Sequence, residues 1–428
     1  MSANHLDVID GNAWPAVAEL PRPVLGAVRS RAAEAQFASA LNKAGLTASR
    51  DGDLTVVHEG LFARLSAAGW TGLAESFLAG EWTADDLSAV LAAFIDSGFR
   101  PRTPKITPDF SGVGELPPDL VRLFAGDGMS AHAGIFSSAV PTTVREAVPS
   151  YVPGAGRGRE PGHHFVDVCT FAPPALAERA DLGDAQGRAA ELLLDAAQVR
   201  TGTHVLEYPS SGGAVAVAAA LRKAAVDTLT GDVDLAAAVK ERLTLAGVGD
   251  SVQTVVRDSV LTGAKDWRSR YDAIVSVEKL ETVSPDQRVD MIRGIDRMLE
   301  IGGRAAIQIT VATEKMSPAA RDALRVLTHY IWPGLDYPTM TQLHQLVDKN
   351  SGLRIVAQTH AGTHAQLSLE FQASLFDGHK REAAAEGFDA VYRRLWDYQF
   401  ALRRALFSLG MLDTVQIELT HRNRGGRR

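Results

Sequence analysis

The run "THVLEYPSSGGAVAVAAALRKA" at residues 203–224 constrains the fold more than any other stretch. An apolar strand ends on Glu207, a short turn holds Gly212 and Gly213, and an alanine-rich helix follows. Such units open nucleotide-binding α/β folds, because glycines let backbone N–H groups approach a ligand at a helix N-terminus. The alternation continues through "AVDTLTG", "DVDLAAAVKERLTLAGVGD", "SVQTVVRDS", "YDAIVSVEKLE", "PDQRVDMIRGIDRMLEIGG" and "RAAIQITVA". Five strands separated by helices in about 120 residues predict an α/β fold with a doubly wound, mostly parallel sheet. Ligands of such sheets sit outside the C-terminal strand ends, which here carry Glu207, Thr230, Asp258, Glu281 and Gln308. An acid at such an end either orients a ligand or caps the next helix.

Ahead of the sheet the pattern is helical. "RPVLGAVRSRAAEAQFASALNKAG" has apolar residues at helical spacing, and "GDLTVVHEGLFARLSAAG" reads as a short strand running into a helix. "TADDLSAVLAAFIDSG" predicts a helix with Thr83 as N-cap and Gly98 as stop. The expected organisation is a helical N-terminal domain (1–105), a linker and irregular insertion (106–189), the sheet domain (190–421) and a basic tail (422–428). "FRPRTPKITPDFSGVGELPP" supplies the linker and "PSYVPGAGRGREPGHH" an exposed loop.

Composition narrows the class. The 428 residues are 46% hydrophobic and 22% charged, with a net charge of −7, which gives a nucleic-acid partner no electrostatic footing. The single cysteine, Cys169, excludes an internal disulfide and suits a reducing, cytoplasmic setting. No apolar run approaches the ~20 residues of a spanning helix. "GHHFVDVC" groups two histidines, an aspartate and a cysteine, but no second pair stands at ligand spacing, so no metal is expected. The tail "HRNRGGRR" is either solvated or drawn to anionic lipid head groups on a membrane face. Trp396, Tyr398, Phe400 and Phe407 read as core or as the wall of an acyl channel.

The order strand-Glu, glycines, helix, strand, helix-Gly, strand-Asp resembles that of Rossmann-like S-adenosylmethionine-dependent methyltransferases. In that reading Glu207 orients the cofactor and Asp258 hydrogen-bonds adenine, with Gly212, Gly213 and Thr230 lining the site. Four further blocks carry a more specific resemblance: "GLAESFLAGEWTADDLSAVL", "DAIVSVEKLETV", "HYIWPG" and "VYRRLWDYQFALRRALFSLGMLDTVQIEL". In this order they resemble the cyclopropane-fatty-acyl-phospholipid synthase family, which includes the mycolic acid cyclopropane synthases. The resemblance spans about residues 20–420, interrupted around 141–185.

It implies methyl transfer from S-adenosylmethionine to the double bond of an unsaturated phospholipid or fatty acyl chain, at C-terminal helical elements that bind lipid. The product is a cyclopropane, a methyl branch or a methylene. It also implies a base, in many members a bicarbonate held by Cys, Glu, His and Tyr. These positions resemble Ser138, Glu281, Gln308 and His364 respectively, with only the glutamate unchanged. The family's glycine-rich turn is Pro209-Ser210-Ser211-Gly212-Gly213 here, and its Glu-His pair is Glu281-Thr282. Proline removes an N–H and the serines add bulk where backbone should meet the cofactor. Two readings stand side by side: a working lipid methyltransferase with a modified pocket, or a degenerate member that binds lipid or regulates without catalysis.

Overall fold

Two short strands, β1 (Leu54–Val56) and β2 (Trp82–Ala84), pair antiparallel inside a unit that is otherwise helical. The computed structural model describes residues 5–21, 26–101, 115–137, 143–151, 163–257, 260 and 270–422. This helical unit gathers residues 1–109, 314–333 and 377–411, so its chain is discontinuous. The β1–β2 register pairs Thr55 with Thr83. Thr83 is therefore a strand residue, and Asp86 caps the helix Leu87–Asp96 by accepting from the Ala89 N–H. Gly98, at φ +72°, closes that helix as expected. Trp396, Tyr398, Phe400 and Phe407 are buried along the helix Ala390–Ser408.

The second unit, residues 110–313, 334–376 and 412–428, is built on a nine-stranded sheet. Its strands are β3 (Thr143–Tyr151), β4 (His163–Phe171), β5 (His204–Glu207), β6 (Ala225–Thr230), β7 (Val252–Val256), β8 (Tyr271–Val277), β9 (Leu299–Ala312), β10 (Leu353–His360) and β11 (Leu412–His421). The spatial order is β3-β4-β10-β11-β9-β8-β5-β6-β7. Strands β7, β6, β5, β8 and β9 are mutually parallel, β10 is parallel to β4, and β11 runs antiparallel between β9 and β10. The expected doubly wound, mostly parallel α/β sheet is thus present.

Helices cover both faces, which is why β5, β8 and the second half of β9 are buried almost without a break rather than on alternate residues. Helices Leu182–Ala196, Ala214–Leu221 and Val233–Leu245 form one core with Val205, Val226 and Val275. Helices Pro285–Met298 and Met340–Asn350 form another with Leu206, Ile274 and Ile309. The C-terminal ends of β5, β6, β8, β9 and β10 share one edge.

Residues 143–151 and 163–171, expected as irregular, instead pair as an antiparallel hairpin in unbroken register. Asp167 of "GHHFVDVC" is ion-paired with Arg145, and His164 Nε2 lies 3.0 Å from the Ile355 carbonyl. Among the described residues no cluster of three or more His, Cys, Asp and Glu could hold a metal, and no helix is long and apolar enough to cross a membrane. The linker around 102–114, the loop 152–162 and the tail from 423 lie outside the described residues.

Candidate active site

The turn after β5 is folded onto its own acid. Glu207 is fully buried, and one carboxylate oxygen accepts from the Ser211 N–H at 2.9 Å and the Ser211 hydroxyl at 2.6 Å. The other accepts from the Thr228 hydroxyl at 2.6 Å and the Ser210 hydroxyl at 3.4 Å. The two serines thus point down into the sheet, toward Glu207. Gly212 and Gly213 follow at φ +101° and +93°, a region that side chains avoid. A Cβ on Gly212 would stand 2.2 Å from the Met129 carbonyl oxygen, so the glycine is required by the close pass of residues 126–137. Thr230 is buried, and its hydroxyl accepts from the Asp232 N–H at 3.1 Å, where the helix Val233–Leu245 begins. Asp258 lies outside the described residues.

The segment 126–137 crosses the strand ends as a strap, fastened along its length. Asp127 accepts from the Met129 and Ser130 N–H groups and from the Ser130 hydroxyl. Arg242 donates to Asp127 at 2.6 Å and to the Gly212 carbonyl at 3.4 Å, tying strap to turn. Burial alone would raise the Asp127 carboxyl; the Arg242 charge and the Ser130 hydroxyl outweigh it and hold the carboxyl below its ordinary range. Gln186 accepts from the Gly126 N–H and donates to the carbonyls of Ser130 and His132. The Gly134 N–H donates to Ser368.

At the end of β8 the strap meets the C-terminal edge of the sheet. The strand stops at Val277, and Glu278 adopts φ +46°, an uncommon conformation for a side-chain-bearing residue. Its Oε1 accepts from the Ala133 N–H at 2.9 Å and from Gln308 Nε2 at 2.8 Å. Its Oε2 makes no hydrogen bond among the described residues. Gln308 Nε2 also donates to the Ala133 carbonyl at 3.0 Å, and Gln308 Oε1 accepts from Gln416 Nε2 at 2.9 Å. Glu281 sits one turn past the strand end, buried, and its Oε1 accepts from the Thr310 N–H at 2.9 Å. The buried Arg288 fixes this turn by donating to the carbonyls of Leu280, Glu281, Gly334 and Asp336.

Neither Glu281 nor Gln308 is the strand end expected of it: Gln308 lies inside β9, level with Val277 at the end of β8, and Glu281 lies in the turn four residues past that end, with Glu278 between them. Ser138 lies outside the described residues; Ala133, five residues earlier, is what touches Gln308 and Glu278. His364 stands elsewhere, as a clip. Its Nδ1 accepts from the Phe136 N–H at 3.0 Å and its Nε2 faces the Ala172 carbonyl at 2.9 Å. Both ring nitrogens are engaged in the neutral form, and burial pushes the pKa below its ordinary value against the pull of Ala172. Glu278 satisfies the rule that selects Glu207, an acid directly after a buried apolar strand, although the resemblance does not point to it.

A family description matches this edge and the helices around it. The model of mycolic acid cyclopropane synthetase matches residues 169–417, more than half of the chain. The chain belongs to the mycolic acid cyclopropane synthetase family. A curated relative in the same size range is the tuberculostearic acid methyltransferase UfaA1 of Mycobacterium tuberculosis, 27% identical, with 95% of each chain covered. Among solved structures, the cyclopropane synthase MmaA2 of the same organism aligns with a TM-score of 0.57 at 19% identity, over 74% of this chain and 99% of its own. A coclaurine N-methyltransferase bound to N-methylheliamine and SAH aligns at 0.59 and 14% identity, over 82% of this chain and 100% of its own. At such identities the structural likeness establishes the fold of S-adenosylmethionine-dependent methyltransferases. In this cyclopropane synthetase family member the resemblance read from the sequence does not reach Glu278, Gln416 or the Asp127–Arg242 pair, which the structure brings to this edge.

Proposed function

We propose that this protein transfers a methyl group from S-adenosylmethionine to the double bond of an unsaturated lipid acyl chain, with Glu278 as the base. The observation that carries this is the state of the Glu278 carboxylate. One oxygen is held by two N–H donors and the other is unengaged among the described residues, the arrangement of a fixed proton acceptor. The strained φ of Glu278 fits a residue placed for chemistry rather than packing.

The residues at the β5 turn fit the methyl donor in part. The helix Ala214–Leu221 begins on a glycine with no side-chain cap, leaving N–H groups suited to a carboxylate. Gly212 and Gly213 would hold that end, whereas Glu207 is spent on its own loop. When bound, S-adenosylmethionine supplies an electrophilic methyl group. The chain's part is to keep the alkene dry and to accept a proton. Methylation leaves a cation on the acyl chain, and loss of a proton to Glu278 Oε2 gives a neutral product and a protonated carboxyl. Of the residues the resemblance assigns to a bicarbonate, the Gln308 amide already serves Glu278 and Ala133, both ring nitrogens of His364 are engaged elsewhere, and Ser138 lies outside the described residues. No step is assigned to that anion.

A second reading rests on the saturated Glu207 carboxylate: a member that binds lipid without turning it over. Incubation with S-adenosylmethionine and dispersed oleoyl phospholipid, followed by mass spectrometry of the acyl chains, separates the two. A product one methylene heavier is expected, and none at any enzyme concentration would leave the non-catalytic reading.

A further inference from the structure

The helix Ala390–Ser408 carries a polar pair left unsatisfied among the described residues. Gln399 is 1% exposed, and its Oε1 has no hydrogen-bond partner among the described residues. Arg403, one turn on, has a buried Nε without a partner and no ion pair among the described residues. Spacing of four places the two side chains on one helical face, with Cβ atoms ~5–6 Å apart. The Arg403 guanidinium carbon lies 5.8 Å from the centre of the Trp332 ring, within cation–π reach. Trp332 meets Trp396 at 6.4 Å, and Tyr392 stacks on Trp396 at 5.6 Å, so the pair is flanked by aromatic surface.

The other buried or half-buried arginines of this unit have partners. Arg64 serves Glu81 and three carbonyls, Arg394 serves the Leu78 carbonyl, and Arg393 the Phe388 carbonyl. A half-buried guanidinium with no counter-ion, beside a buried amide with none, is costly unless something completes it. A planar fork of N–H donors matches the oxygens of a phosphate, and the Gln399 amide can turn two further N–H donors to the same anion.

We propose that Arg403, Gln399 and Trp332 form a receptor for a phosphate-type oxyanion, occupied by the head group of an amphiphile. The amphiphile rests on the lipid reading above; the oxyanion chemistry stands on Arg403 and Gln399 alone. Half-buried Trp332 and Tyr392 offer the first methylenes an apolar neighbour.

Calorimetric titration of the full chain with octyl phosphate, inorganic phosphate and octyl glucoside tests this. Octyl phosphate is expected to bind more tightly than inorganic phosphate, and Arg403→Met to weaken it by about ten-fold or more. Gln399→Glu supplies a carboxylate from within. It should abolish octyl phosphate binding while leaving thermal stability unchanged or raised, which a folding defect would not do. Equal octyl phosphate affinity in the unmodified protein and both variants overturns the receptor, as does octyl glucoside binding that depends equally on Arg403. Equal affinity for the two phosphates upholds the oxyanion site and overturns the amphiphile. None of these readouts needs turnover: absent methyl transfer with intact octyl phosphate binding sinks the proposed enzyme activity and leaves the receptor standing.

Discussion

Gln416 fixes which way the Gln308 amide faces. Gln416 Nε2 lies 3.0 Å from the Ala189 carbonyl and 2.9 Å from Gln308 Oε1, and Gln308 Nε2 lies 3.0 Å from the Ala133 carbonyl. Both ends of this chain of amides are backbone carbonyls, which only accept, so neither amide can flip without setting two acceptors against each other. The polarity that results aims the Gln308 NH2 at Glu278. Gln416→Glu removes the donor and favours the reversed Gln308 amide, with its carbonyl oxygen facing the Glu278 carboxylate. We expect kcat to fall by about 100-fold, from 2–3 kcal/mol of lost and reversed hydrogen bonding. KM for lipid should change less than about two-fold, since Gln416 is placed to act through Gln308. Gln416→Met, which lets the amide turn freely, should fall in between. Equal kcat in all three proteins would show that the amide orientation does not matter.

Glu278 is open to a direct trial. Glu278→Gln keeps an oxygen for the Ala133 N–H and Gln308 to meet, but cannot accept a proton as a carboxylate does. Loss of a positioned base predicts a fall in kcat of roughly 10²–10⁴ with little change in the binding of S-adenosylhomocysteine. If Glu278→Gln retains full turnover while Glu281→Gln loses it, the proton goes to Glu281 instead.

The sheet was legible because its evidence is local. Buried parallel strands such as Tyr271–Val277 read as apolar runs, and their helices carry their own stops. What escaped was set by partners distant in sequence. Thr83 has the chemistry of an N-cap, yet pairing with Thr55 draws it into β2 and leaves the cap to Asp86. The β3–β4 hairpin has no clean alternation, and Pro149 weakens its strand signal, but nine residues pair in register. Resemblance reached Gln308 and Glu281, whereas Gln416 enters the site through the antiparallel β9–β11 register, which no spacing in the sequence announces.

Glu207 separates a loop-holding acid from a cofactor-orienting one. Its carboxylate satisfies Ser211 twice and Thr228 once at 2.9 Å or less. Removing it strands buried donors, so Glu207→Ala should cost about 3–5 kcal/mol in urea unfolding. Glu207→Gln keeps the shape and part of the network, and should cost about 1–2 kcal/mol, with S-adenosylhomocysteine affinity altered by no more than a few-fold. A large loss of affinity in Glu207→Gln at unchanged stability would return this acid to the cofactor.

Stability of the helical unit should depend on Glu75 in a direction opposite to that of most carboxylates. Glu75 is 6% exposed and accepts from the Tyr330 hydroxyl at 2.9 Å. Burial pushes its pKa from 4.5 up to about 6, although the Tyr330 hydroxyl and the Arg64 charge pull the other way. The folded state therefore holds this proton more tightly than the unfolded chain does. The folded form gains nothing from ionisation, so the Glu75 contribution is most favourable below 4.5 and is lost as pH rises through about 6. The full difference is about 2 kcal/mol. Glu75→Gln keeps a neutral acceptor for Tyr330 and has no proton to lose. Relative to the unmodified protein, its stability should improve by about 2 kcal/mol between roughly pH 4 and pH 7, most of it near pH 5 to 6. Urea unfolding of both proteins across that range measures the difference directly. A difference that stays constant with pH would mean that Glu75 ionises in the folded unit as easily as in the open chain.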